Sequence, residues 1–344
     1  MMKLPRIAIT MGDPAGVGPE LCYKVLNYGT VYDRCKPIIF GDAELIQRSI
    51  ELFNGIGPTY PVVPYDHDLW TRPALQDDQP VIVHMPEIPA HAVAAGKPSA
   101  ATGYASHTYV VRAIDAALAG QVDAVVTAPI QKEAWHAAGI NYPGHTELFA
   151  ERTGCGKSCM MLTSEEITCS FVTTHVGLRD VPGLLTVEQI RTTIELSAAA
   201  MRQLRGRAAR IAVCALNPHA GEHGLFGDGE EERLIAPAIA SAQELGINVV
   251  GPLSADTAFL PAKRAQIDCF VCMYHDQGLI PLKTLAFDEA VNITLGLPII
   301  RTSVDHGTAC DIAWQGKAKT DSLVQAILLA VRLAKGRRRS GSAK

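Results

Sequence analysis

Apolar runs closed by glycine, proline or polar turns alternate with helical periods along the whole chain. Ile7–Met11 predicts a buried strand, GDPAGVGPE a loop and Leu21–Leu26 a helix. Ile38–Phe40 predicts a second strand. Asp42 then N-caps a helix over Ala43–Phe53 that puts Leu45, Ile46, Ser49 and Ile50 on one face and stops at Gly55. The stretch Gly57–Pro98 is rich in proline and has no helical period; Val81–Val83 is its clearest strand. Further helices are predicted over 103–119, 187–205, 230–245 and 321–335. Thr186 and Gln189 stand at capping-box spacing, and Gly246 is placed as a C′ glycine. Further strands are predicted over Asp123–Thr127, Ile167–Thr174, Arg210–Leu216, Ile247–Val250 and Ile267–Tyr274. Such alternation predicts α/β/α sandwich architecture with largely parallel strands. The tail KGRRRSGSAK reads as frayed and solvated.

At 344 residues the chain exceeds a typical single domain, so two domains are expected, and its 48% hydrophobic residues can bury a full core. A net charge of −4 gives no general attraction to nucleic acid or to an anionic membrane. The first residues lack the pattern of a secretory signal, and no run of about twenty apolar residues offers a membrane span. Nine scattered cysteines, several within apolar strands, predict reduced thiols and a cytoplasmic setting.

Three predicted strands lead into a histidine: ITCSFVTTH at His175, RIAVCALNPH at His219 and CFVCMYH at His275. Ligands of open α/β sheets collect outside the carboxyl ends of strands. Two readings stay open at this point: ordinary core or turn histidines, or a shared metal site with imidazole ligands and one open position. His275 is followed by Asp276 and Gln277, an acceptor and an amide beside that position, while His223 reads as incidental.

GDPAGVGPE lies where a helix N-terminus could hold an anion, but it has neither the Gly-Lys-Ser/Thr of a P-loop nor the third glycine of a Rossmann fingerprint. Lys283 and Arg301, the latter at the end of a strand-like GLPII, are candidate phosphate or carboxylate binders or else solvated charges, with Asn292, Thr302 and Ser303 as nearby donors. TSVDHGTACDIA is a polar, glycine-containing loop of a kind that can wrap a nucleotide.

In these blocks the sequence resembles the 4-hydroxythreonine-4-phosphate dehydrogenases of pyridoxal phosphate biosynthesis, a family that includes D-threonate and D-erythronate 4-phosphate dehydrogenases. The resemblance runs through ITMGDPAGVGPE, YPGHTE, TTHVGLRD, NPHAGE, GPLSADTAF, YHDQGLIPLK and VNITLGLPIIRTSVDHGTA. It implies two α/β/α sandwich domains like those of isocitrate and isopropylmalate dehydrogenases, with a cleft between them. The domains are expected over 1–130 with 286–344 and over 131–285. It also implies a homodimer whose active sites draw metal ligands from both subunits. By motif, His175, His219 and His275 would bind a divalent ion (zinc first, with magnesium, cobalt or manganese as alternatives). His145, Thr146, Lys283, Asn292 and Arg301 would contact a small phosphorylated hydroxy acid.

The DHGTACDIA block resembles the adenosine-binding loop of isopropylmalate dehydrogenases, which assigns His306, Gly307, Thr308 and Asp311 to the cofactor. Asp311 would favour NAD over NADP. The implied reaction is oxidation of the C3 hydroxyl of 4-hydroxythreonine 4-phosphate followed by decarboxylation to 3-amino-2-oxopropyl phosphate. Asp276 is the candidate proton acceptor, and Lys283 anchors substrate. Two departures bear on the substrate and cofactor: Trp314 where the family has glycine, and Asp288, Glu289 and Ala290 where it is basic. A three-histidine metallohydrolase without a nucleotide and a phosphometabolite-binding protein without activity are the rival readings.

Overall fold

The computed structural model describes residues 3–52, 60–287 and 289–341. Phe53, Gly55, Gly57 and Asp288 of the readings above lie outside them. In chain order the strands are β1 (Arg6–Thr10), β2 (Lys36–Gly41), β3 (Val62–Pro64), β4 (Val81–His84), β5 (Ala124–Thr127), β6 (Cys159–Thr163), β7 (Thr168–Phe171), β8 (Ile211–Cys214), β9 (Val249–Leu253), β10 (Cys269–Cys272), β11 (Val291–Leu295) and β12 (Arg301–Ser303). The helices used below are α1 (Gly18–Leu26), α2 (Ala43–Leu52), α3 (Ala100–Leu118), α4 (Lys132–Ala137), α5 (His145–Arg152), α6 (Val187–Arg205), α7 (Ala236–Glu244), α8 (His275–Ala286) and α9 (Asp321–Gly341). Among the described residues no helix is long and apolar enough to cross a membrane. The nine cysteines are thiols.

The chain forms two compact units, one of residues 1–156 with 297–335, the other of 157–296 with 336–344. The boundaries drawn from the sequence are therefore corrected. Residues 131–156 belong to the first unit because Trp135 of α4 is fully buried and its indole N–H donates to Ser106 of α3 at 2.8 Å. Residues 289–296 belong to the second because β11 pairs antiparallel with β6, Asn292 opposite Leu162.

In the first unit the strand order is β3-β4-β2-β1-β5-β12, all parallel. Steps from β1 to β2 to β4 run one way, and the return from β4 to β5 runs the other. Right-handed crossovers then place α1 and α2 on one face and α3 on the opposite one. Helix α3 starts earlier than the period alone indicated, because Ser99 and Thr102 form a reciprocal capping box. The proline-rich stretch before it is held by Lys36, whose buried ammonium donates to the carbonyls of Ala74 and Asp77 at 2.6 and 2.8 Å and to the Asp77 carboxylate at 3.1 Å.

In the second unit the order is β11-β6-β7-β10-β8-β9. The β6–β7 pair is an antiparallel hairpin, and β7, β10, β8 and β9 run parallel. Side chains alternate along a strand, and the contacts follow that rule. Ser170 and Cys269 face α6 through Ser197, whereas Phe171 and Cys272 face α8 at Gly278. Helices thus cover both faces of these strands, as an α/β/α sandwich requires. The core around them gathers Leu162, Ile167, Phe171, Phe270, Leu279 and Leu282.

Three further corrections concern local structure. GLPII is not itself a strand; β12 begins at Arg301. The helix predicted over 230–245 opens as a π-turn at Glu231–Ile235 before α7. The basic tail is helical to Gly341, since arginine and lysine are good helix formers and Gly336 lies against the Gln203 carbonyl.

Helices α3 and α4 approach so closely that a Cβ on Gly103 would sit 2.2 Å from the Ala134 carbonyl oxygen. Gly103→Ala is expected to cost about 1–3 kcal/mol through overpacking, read as a lower urea midpoint at unchanged m-value. An unchanged midpoint would show that the two helices separate freely.

Candidate active site

The three histidines follow adjacent parallel strands, in the order β7, β10, β8. Phe171 of β7 pairs with Cys272 of β10. Beyond that pair the two segments stay together, because the Thr173 hydroxyl donates to the Met273 carbonyl at 2.7 Å. His175 and His275 consequently face each other, with ring centroids 5.7 Å apart. His275 is the first residue of α8, and its Nδ1 is hydrogen-bonded to Asp276 Oδ1 at 2.6 Å. A carboxylate on one ring nitrogen fixes the tautomer and leaves Nε2 as the donor toward an ion.

His219 stands apart from this pair. Its side chain is mostly exposed, its ring lies 6.1 Å from that of Phe226, and the Glu222 carboxylate is 3.7 Å away. Among the described residues no three His, Cys, Asp or Glu side chains are gathered into one ligand set. The chemistry of the donor set still fits a borderline divalent ion, since two imidazoles meet at strand ends and one is already oriented by a carboxylate.

Gln277, read from the sequence as an amide near the ion, instead braces the strands. Its Oε1 accepts from the Met273 amide at 2.7 Å and its Nε2 donates to the Ala215 carbonyl at 2.6 Å. Lys283 lies on α8, its ammonium 5.6 Å from the centre of the Phe287 ring. Asn292 lies on β11, and its buried Oδ1 has no hydrogen-bond partner among the described residues.

The first unit gathers a second set. Arg301 is buried at the start of β12, donates to the Thr127 hydroxyl at 3.0 Å and lies over the Phe149 ring at 5.6 Å. Burial pulls its pKa down to about 10, so it stays charged at neutral pH. His145 opens α5 beside Thr146. Burial, with Arg301 and Lys132 nearby, holds its pKa well below the ordinary imidazole value, and its buried Nε2 has no hydrogen-bond partner among the described residues. A neutral imidazole next to a buried guanidinium is a suitable cradle for an anion. Lys132 was missed by sequence reading; only its place at the start of a helix within the QKEAWHAAG run marks it.

In the candidate nucleotide loop, His306, Gly307 and Asp311 are exposed and Thr308 is buried. The Thr308 hydroxyl donates to Gln131 at 3.2 Å, and its carbonyl accepts from the Val17 amide at 3.0 Å. GDPAGVGPE therefore spends its amides internally: Ala15 N–H on the Asp13 carboxylate, Gly16 N–H on the Asp13 carbonyl and Val17 N–H on Thr308. Trp314 is buried at φ 61°, donates to the Pro14 carbonyl at 3.1 Å and lies under Arg48.

Sequence comparison adds the family. The family described as pyridoxal phosphate biosynthetic protein PdxA matches residues 33–330. A 4-hydroxythreonine-4-phosphate dehydrogenase of Trichlorobacter lovleyi is 46% identical over 96% of this chain and 98% of its own. A D-threonate 4-phosphate dehydrogenase of Salmonella typhimurium is 43% identical over 97% of this chain and all of its own. The crystal structure of a 4-hydroxythreonine-4-phosphate dehydrogenase from Klebsiella pneumoniae superposes with a TM-score of 0.83 at 40% identity, covering 96% of this chain and 99% of that one. Fold and relatives define a mixed α/β dehydrogenase. The chain belongs to the PdxA family.

Asp13 supplies a pH test of the first unit. Burial raises its carboxyl from the ordinary 3.8 to about 6, against the opposing bonds from Ala15 and Thr102. An acid whose folded-state pKa is raised favours the fold while protonated. That contribution is complete below 3.8 and is lost as pH rises through about 6. The raised pKa corresponds to roughly 3 kcal/mol. Asp13→Asn keeps the acceptor toward Ala15 and should melt above wild type at about pH 7.5, with the gap closing near about pH 4. A gap independent of pH would mean that Asp13 ionises normally.

Proposed function

We propose that the chain oxidises the C3 hydroxyl of 4-hydroxythreonine 4-phosphate with NAD, and that the resulting β-keto acid loses carbon dioxide to give 3-amino-2-oxopropyl phosphate. The observation that carries the reading is the His175–His275 pair with its Asp276 brace at adjacent strand ends, in a chain of this family. When bound, a divalent ion (zinc first) would lower the pKa of the substrate hydroxyl as a Lewis acid, and NAD would take up the hydride.

The chain's own residues then have separable tasks. His175, His219 and His275 would hold the ion, and Asp276 keeps the His275 ring in the ligating tautomer and is the candidate proton acceptor. Arg301, with its fixed fork of donors, and neutral His145 with Thr146 bind the phosphate. Lys283 and Asn292 orient the remaining polar groups; the unpartnered Asn292 Oδ1 supports this, since a buried acceptor is costly unless a ligand satisfies it. Exposed Asp311 in the loop His306–Asp311 would accept from the ribose 2′-hydroxyl and so select NAD over NADP. A second copy of the chain completes the ligand set. In support, Val176, Leu178 and Leu184 after His175, and Ile280 and Phe287 at α8, are large apolar side chains exposed in the single chain.

D-threonate 4-phosphate is the second substrate reading, favoured by the Salmonella typhimurium relative. Phosphorylated four-carbon acids assayed with NAD and with NADP after metal replacement separate the two. Absorbance of NADH with 4-hydroxythreonine 4-phosphate is the expected result, and turnover of D-threonate 4-phosphate alone would replace it. Metal-dependent phosphate release without NAD would instead indicate a hydrolase. Asp276→Asn should lower metal affinity by roughly 10–100-fold, measured by metal content after dialysis, and unchanged content would remove its orienting role.

A further inference from the structure

The segment that carries His219 has an unusual backbone. Five consecutive residues are left-handed: His219 (φ 54°), Ala220 (55°), Gly221 (80°), Glu222 (41°) and His223 (58°). Residues other than glycine avoid this region, because Cβ crowds the following carbonyl, and they enter it as single residues rather than as a run. Such a run persists only where its surroundings over-determine it. Here the surroundings are a carboxylate. Glu231 is 2% exposed, and its Oε1 accepts both the Leu216 amide at 3.0 Å and the Asn217 amide at 2.8 Å. Its Oε2 accepts from Asn217 Nδ2 at 3.1 Å. A Cβ placed on Gly221 would come within 2.6 Å of that same Oε2, so the middle of the turn is seated against the carboxylate as closely as glycine allows.

Glu230 assists by accepting from Asn217 Nδ2 at 2.9 Å and from the Asp228 amide at 2.8 Å. Glu231 itself opens the π-turn Glu231–Ile235, a rare geometry that recurs at functional sites because it re-aims side chains within a helix. Two uncommon backbone features thus meet at one buried carboxylate. Neither is needed to continue β8, which has already ended at Cys214.

We propose that Glu231 is a positioning residue: it clamps the chain as it leaves β8 and so holds the left-handed turn that presents His219 for metal binding. This rests on the reading of His219 as a ligand. Glu231 does not touch the ion; it acts through the backbone, as Asp276 acts through the ring of His275. The carboxylate is required because a single group must accept from two backbone amides and a side-chain amide. A glutamine turns one acceptor into a donor facing Asn217 Nδ2.

The test uses the full chain stripped of metal and titrated with Co²⁺ alone, its binding read from visible absorption. Glu231→Gln should weaken Co²⁺ binding roughly 10–100-fold in protein that still folds cooperatively, with faster amide exchange at 216–224 in the metal-free protein. Gly221→Ala, which retains Glu231 but drives a methyl group into its carboxylate, should weaken binding in the same direction and carries the test if Glu231→Gln does not fold. His219→Ala distinguishes the two levels of the argument. Lost binding in His219→Ala with wild-type binding in both other variants overturns the role of Glu231 and leaves His219 as a ligand. Wild-type binding in His219→Ala overturns the ligand reading and the proposal with it. A lowered melting temperature without loss of Co²⁺ affinity would mark Glu231 as a structural brace only, and would also overturn the proposal.

Discussion

A parallel strand that ends in the middle of a sheet leaves backbone amides and carbonyls with no further strand to bond, and those groups cannot be buried unsatisfied. The placement of the candidate metal ligands follows from how the second unit meets this requirement. Gln277 accepts from the chain leaving β10 and donates to the chain leaving β8, so one buried amide fixes the separation of two strand exits. Thr173 ties the exit of β7 to the same Met273 that Gln277 holds. With the exits fixed, His275 has little freedom at the first position of α8, and His175 meets it across the β7–β10 pair. Glu231 does for the exit of β8 what Gln277 does for that of β10. Candidate ligands and structural hydrogen bonds therefore alternate along the same few residues.

The first unit meets the same requirement differently. Its β1 exit satisfies its own amides through Asp13 and Thr308, which makes GDPAGVGPE a folded plug rather than an open anion cradle. The candidate anion site lies instead near β12 and α5, where Arg301 is held by Thr127 and the face of Phe149. An arginine stacked on an aromatic ring and anchored by a hydroxyl keeps its fork of donors in one plane, which suits phosphate better than a mobile surface lysine would. Trp314 adds a hydrogen bond to the same block at Pro14. A bulky residue held at positive φ is unusual, and here the indole bond to Pro14 and the guanidinium of Arg48 hold it there.

What the sequence made legible follows from the range of each signal. Hydrophobic runs and caps are local, so β1, α6 with its Thr186 cap, and the strands leading to His175, His219 and His275 could be read directly. β11 and β12 find partners, β6 and β5, far away in the chain, and the domain boundaries drawn from the sequence put 131–156 and 286–296 in the other unit. Candidate ligands were legible because three predicted strands each led into a histidine. The groups that aim them were not: Gln277 looked like a participant, and Glu231 sits in an acidic run, GEEE, that reads as a solvated helix start. Lys132 and Trp135 near His145 were invisible for the same reason, since nothing in a sequence window says that a lysine or an indole will meet an imidazole ten or more residues on.

The two carboxylates beside the histidines are used in opposite ways. Asp276 is exposed and bonds directly to the ring it orients, so its effect is confined to tautomer and ring angle. Glu231 is buried and bonds to backbone, so its effect is on where a whole turn lies. The difference matches the two histidines. His275 begins a helix whose axis already determines its position, and only the ring remains to be set. His219 lies in a loop of left-handed residues with no regular element to define it, and its backbone must be set first. Of the two candidate ligands, the one on the more irregular segment is the one whose carboxylate is buried.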